Sequence, residues 1–174
     1  YYATDTHWKQ EEITDIAEYL AKEMGTDAKA GYKVNTLENP FFGVYAGQYA
    51  LPIKPDTIKY LTNDTIDSCT VTYYDTGMPV KGDMYNMEKA YSKDPYEMFL
   101  SGASALMRIV NPSNDSGRKL IVFRDSYTST LAPLLVESYS EIILVDIRYI
   151  MSSFIGSFVS EQDFTDADVL FLYS

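Results

Sequence analysis

Leu120-Ile121-Val122-Phe123-Arg124-Asp125-Ser126-Tyr127 decides how this chain is read. Its first residues form an apolar run that is short, unbroken and rich in β-branched side chains. Such a run suits a strand covered on both faces, because no side is left for water. Ile142-Ile143-Leu144-Val145 and Val169-Leu170-Phe171-Leu172 repeat the pattern. Between the first two runs, Leu131, Leu134, Leu135 and Tyr139 recur at helical spacing. Pro133 fits the first turn of that helix, where its missing N–H is no loss. Ile150, Phe154, Ile155 and Phe158 mark a second crossover helix over 149–160. Strands over 120–124, 142–146 and 169–173, joined through helices, are therefore expected as parallel neighbours with right-handed crossovers. The fold class expected is α/β: a three-layer α/β/α sandwich around a mainly parallel sheet.

Upstream, Thr70-Val71-Thr72-Tyr73-Tyr74 is rich in β-formers and runs into the turn Asp75-Thr76-Gly77. Ala105 to Val110 reads as another strand, closed by Asn111-Pro112; Pro95 to Leu100 opens a short helix, and 78–93 reads as loop. Residues 29–60 are punctuated by Asn39-Pro40, Gly43, Gly47, Pro52 and Pro55, with Phe41, Phe42, Tyr45 and Tyr49 between them. That composition predicts a long irregular connection, of the kind that covers a substrate. From Gln10 to Met24, Ile13, Ile16, Ala17, Leu20 and Met24 share one helical face. Glu11 and Glu12 suit the positive N-terminal end of that helix, and Gly25 suits a left-handed cap. No internal repeat or low-complexity stretch appears, so residues 1–174 read as a single domain.

A chain of 174 residues, 46% hydrophobic, is large enough for one real core. The formal charge of -11 opposes binding to nucleic acid, whose phosphates demand a basic face. Cys69 is the single cysteine and has no internal partner for a disulfide. No apolar stretch approaches the roughly 20 residues needed to span a bilayer. The opening at Tyr1, without initiator methionine or signal-like segment, predicts the C-terminal part of a longer protein whose targeting signal lies elsewhere. No Cys/His cluster or glycine-rich phosphate loop points to a metal or another cofactor, and none is expected.

The chemistry rests on two distant motifs, Asp5-Thr6-His7-Trp8 and Arg124-Asp125-Ser126-Tyr127. His7 is the only histidine. A hydroxyl made nucleophilic near neutral pH needs a base, and the base needs an acceptor that fixes its tautomer. Ser126, His7 and Asp5 are the candidates for those three parts. Ser126 stands at the C-terminal end of an expected parallel strand, the edge at which open α/β sheets bind ligands. The backbone N–H groups of Ser126 and Tyr127, close to a helix N-terminus, suit a developing oxyanion. Asp125-Ser126 also suits a plain helix cap. Arg148, just past another strand, faces the same edge and is a candidate for an anionic sugar or for pairing with a neighbouring acid. Tyr127 and Trp8 are the aromatic candidates for substrate contact.

Tyr1-Tyr2-Ala3-Thr4-Asp5-Thr6-His7-Trp8 resembles the signature of the DHHW-motif family and of the related alginate O-acetyltransferase-like proteins, relatives of the SGNH hydrolases. Phe41-Phe42-Gly43-Val44-Tyr45, Ile53-Lys54-Pro55-Asp56-Thr57-Ile58, Asp94-Pro95-Tyr96-Glu97-Met98-Phe99-Leu100 and Val145-Asp146-Ile147-Arg148-Tyr149 are similar to segments of the same family. The resemblance implies an SGNH-like fold in which the catalytic Asp-x-His precedes the serine, a permuted order. It implies Ser126 as nucleophile, His7 as general base and Asp5 as the acid that orients it. It also implies an extracytoplasmic bacterial protein that handles acyl groups on cell-surface or cell-wall glycans, with an acylated glycan or acyl donor as partner and cell-envelope partners besides. Thr6 replaces the second residue of the family's name-giving motif. The asparagine expected after the glycine pair is absent from Ser101-Gly102-Ala103-Ser104, which leaves the Gly102 N–H as the oxyanion donor from that segment. An esterase, an O-acetyltransferase and a non-catalytic glycan-binding or scaffold protein with a degenerate site all remain compatible with these residues.

Overall fold

In the computed structural model, which describes residues 1–49 and 53–174, the strands are β1 (Lys33–Phe41), β2 (Asp56–Thr62), β3 (Thr70–Tyr73), β4 (Val80–Gly82), β5 (Leu106–Val110), β6 (Lys119–Arg124), β7 (Glu141–Val145) and β8 (Ala167–Leu172). The α-helices are α1 (Thr14–Glu23), α2 (Val44–Tyr49), α3 (Asp64–Ser68), α4 (Thr128–Leu135) and α5 (Ser152–Ile155). Pro52, one of the expected breakers, lies outside the described residues, as does the side chain of Tyr49.

The apolar run of β6 behaves as its composition requires. Leu120 and Val122 join a cluster with Leu131, Leu134 and Leu135 of α4 and with Ile13, Ala17 and Ala21 at α1. Ile121 and Phe123 point the other way, toward Val159, Ile150, Ile155 and Phe158. Burial of each such side chain contributes about 1.5–3 kcal/mol, so both faces of the strand anchor it.

Six strands form one sheet in the order β4-β3-β5-β7-β6-β8. β6 pairs in parallel with β7 and with β8, so the three C-terminal strands are parallel neighbours. The pairings β3–β4, β3–β5 and β5–β7 are antiparallel, and the sheet is mixed rather than mainly parallel. Parallel pairing needs a long crossover connection, which the chain supplies only in its last third; β3 and β4 are joined by a short turn instead. Because β3 and β7 both oppose β5, the C-terminal ends of β3, β7, β6 and β8 lie at one edge of the sheet.

Four local expectations are corrected. Residues 29–60 are not irregular: β1 and β2 form a two-stranded antiparallel sheet, with α2 between them. Alternation in β1 is masked because only Leu37 and Phe41 are buried and Pro40 sits where the register shifts. Within 78–93, Val80–Gly82 is a strand and Lys89–Tyr91 a 3-10 turn. Pro133 lies inside α4, which begins at Thr128, so the Ser129 carbonyl loses its helical donor; complete burial of the helix offsets that loss. The crossover over 149–160 is mostly loop, with only Ser152–Ile155 helical, since Ser152, Ser153, Gly156 and Ser157 are poor helix formers. β8 is an edge strand and leaves Val169 and Phe171 largely exposed, although Phe171 stacks on Phe123 with ring centroids 4.9 Å apart.

The second sheet positions the N-terminus. Leu37, Phe41 and Ile58 pack with Tyr2, Tyr96, Met98 and Phe99 in a separate buried cluster. Asp56, which opens β2, accepts from the amides of Ala3 and Thr4 and from the Thr4 hydroxyl at 3.1, 2.7 and 2.7 Å. The segment before α1 is thereby tied to residues more than 50 positions away.

Candidate active site

Asp5, His7 and Ser126 meet. His7 Nε2 lies 2.9 Å from Ser126 Oγ, and His7 Nδ1 lies 2.5 Å from Asp5 Oδ1. The Asp5 carboxylate also accepts from the His7 amide at 3.0 Å and, through Oδ2, from the Val44 amide at 3.0 Å. Burial pushes the Asp5 carboxyl up, but the His7 hydrogen bond and the two amides outweigh it and hold the group below the ordinary aspartate range. Asp5 is therefore a fixed anion at neutral pH. With Nδ1–H donating to it, Nε2 faces Ser126 as an acceptor.

The support for this chain of bonds is local and specific. Gly43 comes so close to the N-terminal segment that a Cβ there would sit 2.2 Å from Asp5 Cβ and 2.4 Å from the Thr4 carbonyl. The Gly43 amide donates to Thr4 Oγ1 at 3.1 Å. Tyr96 stacks on the His7 imidazole with ring centroids 3.9 Å apart and planes within 16°, and its hydroxyl donates to the Ser126 carbonyl at 3.3 Å. Asp94 caps the turn that carries Tyr96 by accepting from its amide.

Ser126 stands where β6 ends and α4 begins. Its own N–H has no hydrogen-bond partner among the described residues, whereas the Tyr127 N–H donates to Asp125 Oδ1 at 3.1 Å. The Gly102 N–H donates to the Phe99 carbonyl at 3.2 Å, closing a turn. Of the three expected amide donors, Gly102 and Tyr127 are thus engaged within the protein, and Ser126 is the one without an intramolecular partner among the described residues. Asp125 serves as a brace; its Oδ2 accepts from the Ser174 amide and hydroxyl at 2.7 and 3.0 Å.

The expected substrate contacts are placed less simply. Tyr127 donates its hydroxyl to the Thr6 carbonyl at 2.8 Å, and Trp8 packs edge-on against its ring at 5.1 Å. Both therefore hold the His7 loop against the start of α4. Arg148 makes a two-pronged pair with the buried Asp146 at 2.9 and 2.6 Å, and its guanidinium remains about half exposed at the sheet edge. A cavity of about 400 Å³ opens beside Asp5, walled by Phe42, Val44, Lys93, Asp94 and Glu97.

Several residues here escaped sequence reasoning. Gly43, Tyr96 and Asp56 lay inside family-like segments but carried no local sign of their task. Arg124 is the most unusual: it is fully buried, with Nη1 donating to Ser129 Oγ at 2.7 Å and Nη2 to the Gly102 carbonyl at 3.5 Å, and its Nε has no partner. Burial lowers its pKa. No group of three or more His, Cys, Asp or Glu suited to a metal occurs among the described residues.

No protein-family model and no curated protein matches the chain. Solved structures do. A DHHW family protein from Eubacterium siraeum DSM 15702 is similar at a TM-score of 0.76 and 25% identity, over 98% of this chain and 57% of that one. PatB1 of Bacillus cereus is similar at a TM-score of 0.76 and 19% identity, over 100% of this chain and 62% of that one. The same protein with a sulfonyl adduct matches at a TM-score of 0.74 and 18% identity, over 60% of its length. The chain thus spans less than two thirds of each of these relatives in structure, and it shares their mixed α/β fold.

Proposed function

We propose that this chain is an SGNH-like acyl-transfer domain, related to the DHHW-motif and alginate O-acetyltransferase-like proteins, that uses Ser126 as nucleophile on acylated cell-envelope glycans of a bacterium. The observation that carries the reading is the continuous series Asp5–His7–Ser126, with contacts of 2.5 and 2.9 Å between groups remote in sequence. His7 Nε2 takes the Ser126 proton as Oγ attacks an acyl carbonyl; the imidazolium is stabilised by Asp5. The bond from the acyl carbon to the donor oxygen breaks, and that oxygen takes the proton from His7. An acyl-enzyme on Ser126 remains until water or a sugar hydroxyl, deprotonated by the same imidazole, bonds to the acyl carbon; the Oγ–acyl bond then breaks and Oγ takes the proton back from His7. The free Ser126 amide is placed to stabilise the oxyanion of each step. A sulfonyl adduct on the similar fold of PatB1 agrees with an activated nucleophile in such a scaffold. A place outside the cytoplasm follows from the same reading; among the described residues no helix is long and apolar enough to cross a membrane.

Mass spectrometry after incubation with p-nitrophenyl acetate tests this directly. An acetyl group on Ser126, absent from Ser126→Ala and His7→Ala, is the expected result. One observation favours a second reading, a glycan-binding or scaffold protein with a degenerate site: the Gly102 amide is engaged and Ala103 offers no side-chain donor. Hydrolysis at background level with no adduct on Ser126 would select that reading.

A further inference from the structure

A second cavity, of about 320 Å³, lies between the β3–β4 hairpin and residues 101–104, with Tyr73, Asp75, Thr76, Lys81, Asn86 and Ser101 among its walls. We infer that this cavity is an acceptor subsite that seats an uncharged sugar ring of the glycan receiving the acyl group; the inference rests on the acyl-transfer reading above. Nothing about Ser126 itself leads to this cavity. Its position, its strained wall and its polar groups do.

Position comes from the topology. Asp75 and Thr76 follow the C-terminal end of β3, Ser104 precedes β5, and Ser126 follows β6, all at one edge of the sheet. The loop Leu100–Gly102 links the two places. Ser101 and Ala103 line the cavity, while the Gly102 carbonyl between them accepts from Arg124, two residues before Ser126.

That loop is strained. Leu100, Ser101 and Gly102 are consecutive residues with φ of +52°, +57° and +82°. For non-glycine residues the left-handed region costs roughly 1–2 kcal/mol each, and such strain clusters where a site over-determines the backbone. It is held by bonds from the Leu100 amide to the Met84 carbonyl and from Asn86 Nδ2 to Ser101 Oγ. The wall between the cavity and Ser126 is thus a fixed surface rather than a yielding loop.

The walls offer both donors and acceptors. Asp75 spends Oδ1 on Ser104 Oγ and the Ala105 amide at 2.9 and 2.7 Å, and no intramolecular bond falls on its Oδ2 among the described residues. Lys81 forms no ion pair among the described residues, and the Thr76 hydroxyl makes only a long bond to Met78. A polyol ring satisfies such a mixture, donating to Asp75 and accepting from Lys81, with its apolar face near Tyr73. A polyanion is disfavoured, because Asp75 lines the cavity and the whole chain carries -11. Three strand spacings of about 4.8 Å separate β3 from β6, so the ring seated here lies further along the same glycan than the one acylated. The acylated ring reacts at Ser126: its hydroxyl proton goes to His7 Nε2 as its oxygen bonds to the acyl carbon, and the Oγ–acyl bond breaks with Oγ taking that proton back from His7.

The test titrates the Ser126→Ala chain, free of turnover, with neutral tri-N-acetylchitotriose and with anionic trigalacturonate, followed by amide chemical shifts. Shifts over 73–82 and 101–104 with the neutral sugar alone are expected, and Lys81→Glu and Thr76→Arg, both surface changes, weaken its binding by about tenfold or more. Equal affinity in both variants, shifts confined to another face, no binding of the neutral trisaccharide, or tighter binding of trigalacturonate overturns the subsite. In parallel, the unmutated chain is treated with methanesulfonyl fluoride. Absence of an adduct on Ser126 sinks the acyl-transfer reading and the acceptor role with it, whereas an adduct together with unaffected variants sinks the subsite alone.

Discussion

His7 Nε2 lies 2.9 Å from Ser126 Oγ although 119 positions separate the two residues. Neither end of that contact is free to wander. Asp5 and Tyr96 grip the imidazole from its edge and its face, and β6 fixes the serine from below.

Asp5→Asn keeps the size of the side chain but replaces the anion that accepts from Nδ1. The imidazole then loses the tautomer that leaves Nε2 as base. Turnover of an activated ester is expected to fall by about 10⁴, with KM little changed. Steady-state kinetics decide it; a loss within twofold shows that His7 does not depend on Asp5.

Gly43→Ala tests the close approach behind the site. The added Cβ meets Asp5 and the Thr4 carbonyl at distances that no packed structure tolerates. The N-terminal segment must shift, at a cost of about 1–3 kcal/mol. Both thermal stability and esterase rate are expected to drop, measured by calorimetry and by p-nitrophenyl acetate hydrolysis. Gly47→Ala, where nothing lies within 4 Å of the new Cβ, serves as the control.

Tyr96 separates stacking from hydrogen bonding. Tyr96→Phe keeps the ring over His7 and removes only the hydroxyl's bonds to the Ser126 carbonyl and to Thr130 Oγ1, so kcat is expected to change by less than about threefold. Tyr96→Ala opens a void beside the imidazole and is expected to cost about 3–5 kcal/mol of stability as well as activity. Equal kinetics in the two variants would show that the stacked ring has no part in holding His7.

The far end of the sheet responds to acid. Asp163 is held well below the usual carboxylate range by the Arg108 guanidinium, against the opposing effect of burial, and then by Lys119. A depressed carboxyl contributes its stability in full above the unfolded value, near 4, and loses it as pH falls through the folded value. Asp163→Asn is therefore expected to lower stability by roughly 1–3 kcal/mol at pH 7. The gap between variant and parent should close progressively below about pH 4. Denaturant titrations at pH 7, 4 and 3 measure it; a gap that widens in acid reverses the assignment.

Strand identity was legible in Leu120–Phe123 and Ile142–Val145 because burial on both faces leaves an unbroken apolar run, and the alternation of their contacts follows from the pleat alone. The sequence by itself also singled out His7, the one imidazole available, and the serine that follows a strand. It did not reveal β1 and β2, whose exposed residues and Pro40 hide any period, nor that β5 runs against its neighbours, because pairing direction depends on connections rather than on side chains. Only the tertiary structure decided that Gly102 spends its amide on Phe99, that Tyr96 stacks on His7, and that Asp56 clamps the segment carrying Asp5. Local sequence sets what a residue is able to do and how its neighbours lie. Which distant partner uses up a hydrogen bond is settled by packing of the whole chain, because buried polar groups must be satisfied wherever the core brings them together.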